Sequence, residues 1–125
     1  MAAIASKVFI VDDDEAVRDA LKVLLESYGI AVEDFPSAAE FVRHYQLAAG
    51  QCLVLDQHLP QTTGLDFLGS SQGAALHVPV ILLTGRGDRS IRNRAHELGV
   101  AAYLEKPVRD DILLATISRV VDAAS

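Results

Sequence analysis

Five short apolar runs rich in branched residues recur along the chain, at 7–11, 31–35, 52–55, 79–84 and 101–105, each followed by a segment of helical period. After the first run, Val17, Leu21, Leu24, Leu25 and Tyr28 share one helical face, and Gly29 is placed to stop the helix as a left-handed cap. Ser37, with Glu40 three residues on, reads as a capping box before a helix over 41–49. Asp88 is placed to cap a fourth helix that turns Ile91, Ala95 and Leu98 inward and ends at Gly99. Leu113, Ile117 and Val120 define a fifth helix that runs almost to Ser125. The third, near 64–73, is predicted to be short or irregular, because Gly69 and Gly73 each cost about 1 kcal/mol relative to Ala in a helix interior.

The first, third and fourth apolar runs show no polar alternation, which marks strands buried on both faces of a parallel sheet. The expected fold is therefore α/β, a doubly wound five-stranded (βα)5 sandwich. Right-handed crossovers would cover both sheet faces with helices and leave ligands to bind outside the carboxyl ends of the strands. No repeat, low-complexity tract or linker interrupts the chain, so 1–125 is expected to form one domain.

Composition narrows the function. Of 125 residues half are hydrophobic, enough for one real core, and the formal charge of -6 argues against a direct nucleic-acid surface. Cys52 is the only cysteine, so no intramolecular disulfide can form, and its apolar neighbours make it a small core residue. Residues 1–7 lack the basic flank and long apolar segment of a signal peptide, and no run approaches the roughly 20 residues of a membrane span. A soluble, cytoplasmic domain without membrane contact is expected.

The chemistry collects at the strand ends. Asp12 and Asp13 follow the first strand, Asp56 the third, Thr84 the fourth and Lys106 the fifth, and a doubly wound sheet lays these loops side by side. Like charges about 5 Å apart cost roughly 3 kcal/mol per pair at an effective dielectric near 20, so the acidic triplet 12–14 needs compensation. Oxygen ligands with room for waters suit Mg2+ better than Ca2+. With Mg2+ and Lys106 opposing three aspartates, the site is near neutral and can accept a phosphoryl group. A carboxylate, a cation, a hydroxyl and an amine are the groups that phosphoryl transfer onto an aspartate requires. Asp14 falls to the first turn of the first helix, where the helix dipole favours an anion.

These stretches, Val11–Asp14, Leu55–Pro60 with Gly64, Ile81–Thr84 and Glu105–Pro107, make the whole chain resemble a response-regulator receiver domain of the CheY-like, two-component type. The resemblance implies strand order 2-1-3-4-5 and Asp56 as phosphoacceptor. It implies Mg2+ held by Asp13 directly, Asp12 through water, Asp56, and the backbone carbonyl of His58. Lys106, positioned by a cis bond to Pro107, and Thr84 would bind the phosphoryl group. Thr84 and Tyr103 would form the switch, reshaping the surface of the fourth helix, fifth strand and fifth helix. The donor would be a sensor histidine kinase or phosphotransfer protein. A downstream output partner and a phosphorylation-dependent homodimer are the expected readouts.

Several positions depart from the family's usual pattern. Leu59 stands where Met is common. Gly85 follows the switch threonine and is expected to bring the loop's two positions closer in energy. His58 is a less usual side chain, expected either to modulate water attack, and so the phosphorylated lifetime with pH dependence near 6–7, or simply to face solvent. Ala16, Ala20 and Val23 form an apolar edge on the first helix, expected to be exposed beside the acidic pocket and to dock a kinase helix.

Other patterns carry less. Residues 69–73 spell Gly-x-Ser-x-Gly but follow a helical stretch rather than a strand, unlike a nucleophile elbow. The tripeptide 86–88 is read as chance, Gly85-Arg86-Gly87 is too short to indicate a dinucleotide site, and His44, His77 and His96 lack metal-ligand spacing and are expected at the surface or its boundary. Arg86, Arg89, Arg92 and Arg94 make a basic stretch, either a solvated face or a docking surface. The alternative function is a metal-dependent aspartyl-phosphate phosphohydrolase. Such enzymes usually carry an acid two positions after the nucleophile, where His58 stands, and a cap domain.

Overall fold

A computed structural model describes residue 5 and residues 7–124 of the chain. Strands and helices alternate as β1 (Lys7–Val11), α1 (Glu15–Ser27), β2 (Val32–Phe35), α2 (Ala38–His44), β3 (Gln51–Asp56), α3 (Gly64–Gly69), α4 (Ser71–Ala74), β4 (Val80–Thr84), α5 (Arg89–Glu97), β5 (Ala102–Glu105) and α6 (Asp110–Ala124). The strands form one parallel sheet in the order β2-β1-β3-β4-β5. The fourth and fifth helices of the sequence reading are α5 and α6, because the third divides in two.

Alternate side chains of each central strand enter two separate cores, as the two-residue strand period requires. Phe9, Val11, Leu53, Leu55 and Leu82 pack with Phe41, Leu65, Phe67 and Ala95 of α2, α3 and α5. Val8, Ile10, Cys52, Val54, Ile81 and Leu83 pack with Leu25 of α1 and Leu113, Ile117 and Val120 of α6. This double burial is the reason β1, β3 and β4 show no polar alternation. Cys52 is fully buried, and burial pushes its thiol up to about 12.

Four details differ from the sequence reading. Tyr28 and Leu98, expected to face inward, are 62% and 36% exposed. Both occupy C-cap positions, where the chain leaves the helical period, and Gly29 and Gly99 follow with φ of 78° and 77°. The second helix begins at Ala38 and stops at His44, short of the expected 49. Tyr45 turns extended and stacks on Phe41 with ring centroids 4.7 Å apart, while the buried Gln51 amide bonds Gln46 O at 2.8 Å and Ala48 N at 2.9 Å. Those bonds satisfy backbone groups that a longer helix would otherwise pair. Of the expected capping box, the bond from Glu40 N to Ser37 Oγ is present at 3.1 Å, whereas the Glu40 carboxylate turns to Arg43 and His44.

The third helix breaks at Ser70, whose ψ of 167° is extended and whose Oγ caps α4 by accepting from Gly73 N at 3.1 Å. Gly73 is fixed by packing, since a Cβ there would strike the Phe67 and Leu68 backbone. Among the described residues no helix is long and apolar enough to cross a membrane.

Candidate functional site

Asp12 leaves the end of β1 still tied to the sheet, its N–H donating to Phe35 O at 3.2 Å, and is only 3% exposed. Asp14 is the N-cap of α1: its Oδ1 accepts from Ala16 N at 2.9 Å and Val17 N at 3.3 Å. Its own N–H donates to Asp12 Oδ1 at 2.9 Å, which orients that carboxylate. Asp14 thus belongs to the helix start, while Asp13 between them is exposed.

Asp56 is the last residue of β3 and 4% exposed. The next turn folds back on itself: Gly64 N donates to Gln57 O at 3.0 Å and Leu65 N to the Gln57 side-chain oxygen at 2.9 Å. Gly64 permits this approach, because a Cβ there would lie 2.8 Å from Asp56 O. His58 N donates to Asp56 Oδ1 at 3.3 Å. Carboxylate oxygens of Asp12, Asp13 and Asp56 all lie within 4.8 Å of one another. Lys106 Nζ stands 3.2 Å from Asp56 Oδ1 and 3.4 Å from Asp12 Oδ2, and the Lys106–Pro107 peptide is cis.

Burial holds the Asp12 carboxyl above its ordinary value, and the Asp56 charge adds to the rise, with the Asp14 N–H and Lys106 opposing. For Lys106 burial pulls downward, yet the Asp12 and Asp56 charges outweigh it and raise the ammonium above its ordinary 10.5. Lys106 is therefore a cation at neutral pH. Three carboxylates against one ammonium leave two negative charges in excess. An all-oxygen donor set with that excess fits a hard divalent ion.

Thr84 is fully buried, and its hydroxyl donates to Arg86 O at 3.1 Å, accepts from Arg86 N at 3.2 Å and contacts His58 Nε2 at 3.3 Å. Gly85 borders open space, with nothing within 4 Å of a Cβ there. Tyr103 is half-buried, with its ring 5.7 Å from the Arg92 guanidinium and its hydroxyl buried without a hydrogen-bond partner among the described residues. That hydroxyl sits against Gly87, where a Cβ would strike it and the Glu105 carboxylate.

Ala16, Ala20 and Val23 are exposed on α1, Val23 to 68%. Arg94 and Arg92 of the basic stretch are engaged, by Asp66 at 2.8 Å and Glu105 at 3.7 Å. His44, His77 and His96 are exposed. Two residues that hold the site were missed in the sequence, Gln57 and Arg18. Arg18 donates from Nη1 to Asp12 O at 2.7 Å and from Nε to Asp34 Oδ2 at 3.0 Å. Its available signal was an arginine four residues after a helix cap, opposite an acid on the neighbouring strand.

Residues 8–118 match the family model for the response regulator receiver domain, and the chain belongs to that family. It is 39% identical over 110 residues to the transcriptional regulatory protein FixJ of Azorhizobium caulinodans, covering 88% of this chain and 52% of that protein. It is 36% identical over 113 residues to the response regulator protein TodT of Pseudomonas putida, covering 90% and 50%. The chain thus spans about half the length of these curated relatives. Among solved structures, full-length FixJ of B. japonicum superposes with a TM-score of 0.85 at 33% identity, covering 98% of this chain and 61% of that one. A CheY-like receiver domain protein of Methanospirillum hungatei superposes at 0.83 with 26% identity, covering 98% and 97%. The chain is therefore a receiver domain of the two-component response regulators, a phosphorylation-activated switch, and the phosphohydrolase alternative has no support. Receiver domains bind Mg2+ at an acidic pocket and are phosphorylated by histidine kinases, and no enzyme family is indicated for the chain.

Proposed function

We propose that 1–125 acts as one receiver domain in which Asp56 takes a phosphoryl group from the phosphohistidine of a sensor histidine kinase or phosphotransfer protein. The observation that carries this is the buried Asp56 carboxylate, 3.2 Å from the Lys106 ammonium and within 4.8 Å of two further carboxylates. An Asp56 oxygen attacks phosphorus in line, the N–P bond breaks as the O–P bond forms, and the electron pair leaves with the imidazole nitrogen. Asp12, Asp13, Asp56 and the His58 carbonyl would hold Mg2+, which when bound neutralises charge on the phosphoryl oxygens. Lys106 would also neutralise charge on the phosphoryl group, and it orients Asp56. Thr84 exchanges its contacts with Arg86 and His58 for a phosphoryl oxygen.

The protein then catalyses only its own phosphorylation and dephosphorylation, in the cytoplasm. The move of Thr84 reaches Tyr103 and reshapes the surface of α5, β5 and α6, which controls a downstream partner or output domain or joins two phosphorylated copies. Kinases dock at Ala16, Ala20 and Val23, whose exposure supports that role. His58 and Gly85 set the phosphorylated lifetime. The deciding experiment is labelling by a small acyl-phosphate donor with and without Mg2+. Wild type labels only with Mg2+ and Asp56→Asn does not label; a wild type that stays unlabelled overturns the reading.

A further inference from the structure

We propose that Arg18 is a positioning residue for the divalent ion, acting through the backbone that carries Asp12 and Asp13. The inference rests on the Mg2+ reading above. Arg18 lies one turn into α1, its side chain only 13% exposed, and its guanidinium makes two bonds at once. Nη1 donates to Asp12 O at 2.7 Å, and Nε to Asp34 Oδ2 at 3.0 Å. Asp34 stands on β2 opposite Ile10, so its carboxylate is itself carried on the sheet. The planar fork of an arginine can span two such acceptors in fixed geometry, which a lysine ammonium cannot.

The bonded carbonyl belongs to the Asp12–Asp13 peptide. Holding that carbonyl fixes the peptide plane, and the plane sets the direction in which Asp13 leaves the strand. Asp12 is already oriented by Asp14 N and Lys106. Asp13 is exposed, and among the described residues no side chain bonds its carboxylate, so the backbone aims it. Arg18 therefore supplies for Asp13 what the Asp14 N–H and Lys106 supply for Asp12.

The sign of the effect separates positioning from charge. A guanidinium near a cation site repels the cation, so removing it for charge reasons alone would tighten Mg2+ binding. Loss of a group that orients a metal ligand instead weakens binding, typically 10- to 100-fold. The test is Mg2+ titration by calorimetry on wild type, Arg18→Ala and Arg18→Lys, with thermal melts in EDTA to follow folding separately. Expected is a dissociation constant at least about 10-fold higher for Arg18→Ala and an intermediate rise for Arg18→Lys, which keeps the charge but not the fork. Labelling at saturating Mg2+ should return to near the wild-type rate in both. Equal or tighter Mg2+ binding by Arg18→Ala overturns the inference. Should Arg18→Ala fail to fold, Arg18→Lys decides in the same way: weaker binding supports positioning, and wild-type affinity refutes it. A wild type that binds no Mg2+ refutes the metal reading itself, which is a different failure.

Discussion

Replacing Asp12 by Asn should make the Mg2+-free domain more stable while removing its response to Mg2+. With Lys106 Nζ at 3.4 Å and an effective dielectric near 20, the ammonium favours the Asp12 charge by about 5 kcal/mol. The charge-assisted bond from Asp14 N adds about 2 kcal/mol. Against these, Asp56, with a ligand oxygen inside 4.8 Å, costs at least about 3.5 kcal/mol. Desolvating a carboxylate that is 3% exposed costs several kcal/mol more, and the nearby Asp13 adds in the same direction. The charge and hydrogen-bond terms nearly cancel, so desolvation decides and the balance is unfavourable. Asn keeps an oxygen to accept from Asp14 N and drops the charge, so in EDTA at pH 7.5 its melting temperature should rise, by about 4 °C for each kcal/mol of that balance. The sign with pH follows from the raised carboxyl. The folded state holds its proton more tightly than the unfolded state, so the cost is absent below the ordinary value of 3.8 and complete once pH passes the folded value. The gap between variant and wild type should therefore narrow as pH falls toward 4. Mg2+ at 100 times its dissociation constant should stabilise wild type by about 2.7 kcal/mol, or about 11 °C, and the variant far less. A variant that melts at or below wild type in EDTA at pH 7.5 would sink the reasoning.

Two glycines should respond to alanine to different degrees. Gly73→Ala drives a Cβ into backbone that cannot yield and should cost about 3 kcal/mol by urea denaturation, whereas Gly87→Ala meets only flexible side-chain ends and should cost about 1 kcal/mol or less. Gly87→Ala should instead displace the Tyr103 ring, read as a change in its NMR chemical shifts; unchanged shifts would remove Gly87 from the switch. His58→Ala frees the Thr84 hydroxyl from a 3.3 Å contact worth about 0.5 to 1.5 kcal/mol and should lengthen the phosphorylated lifetime about 2- to 10-fold, followed by loss of label. An unchanged lifetime counts against the His58 assignment. Val23→Glu, on an exposed position, should slow transfer from a kinase and spare a small acyl-phosphate donor, and equal loss with both donors would refute docking there.

Much of the fold was legible because burial on both faces leaves an unmistakable trace in the strands: the apolar run 7–11 is β1 residue for residue. The charged residues at the strand ends were legible for a related reason. Polar groups directly after a doubly buried strand have few structural uses, and parallel topology turns distant positions into neighbours. What escaped was set by contacts that periodicity does not encode. Tyr28 and Leu98 continue the helical pattern on paper but sit at caps, where the backbone has already turned. The early end of α2 depends on Gln51, a side chain from the next strand that takes over its backbone partners. Arg18 reads as one more polar residue of an amphipathic helix until the sheet brings Asp34 and the Asp12 carbonyl to its two nitrogens.

The same geometry limits how the switch can work. Thr84 Oγ1 holds both the N–H and the carbonyl of Arg86, and the next residue, Gly87, is the seat of the Tyr103 hydroxyl. Two residues of chain thus separate the threonine from the surface against which the aromatic ring rests. Reversing a population from 1:99 to 99:1 takes about 5.5 kcal/mol of differential binding. On the proposed role of Thr84, one charged hydrogen bond to a phosphoryl oxygen would supply about 1.5 to 3 kcal/mol, too little alone. Lys106 can supply the remainder only if it is coupled to the same loop, and it is: Lys106 N donates to Thr84 O at 2.8 Å, joining the ends of β4 and β5. Thr84 and Lys106 should therefore act as one unit, and the double variant Thr84→Ala with Lys106→Ala should lose no more of the Tyr103 response than the stronger single variant.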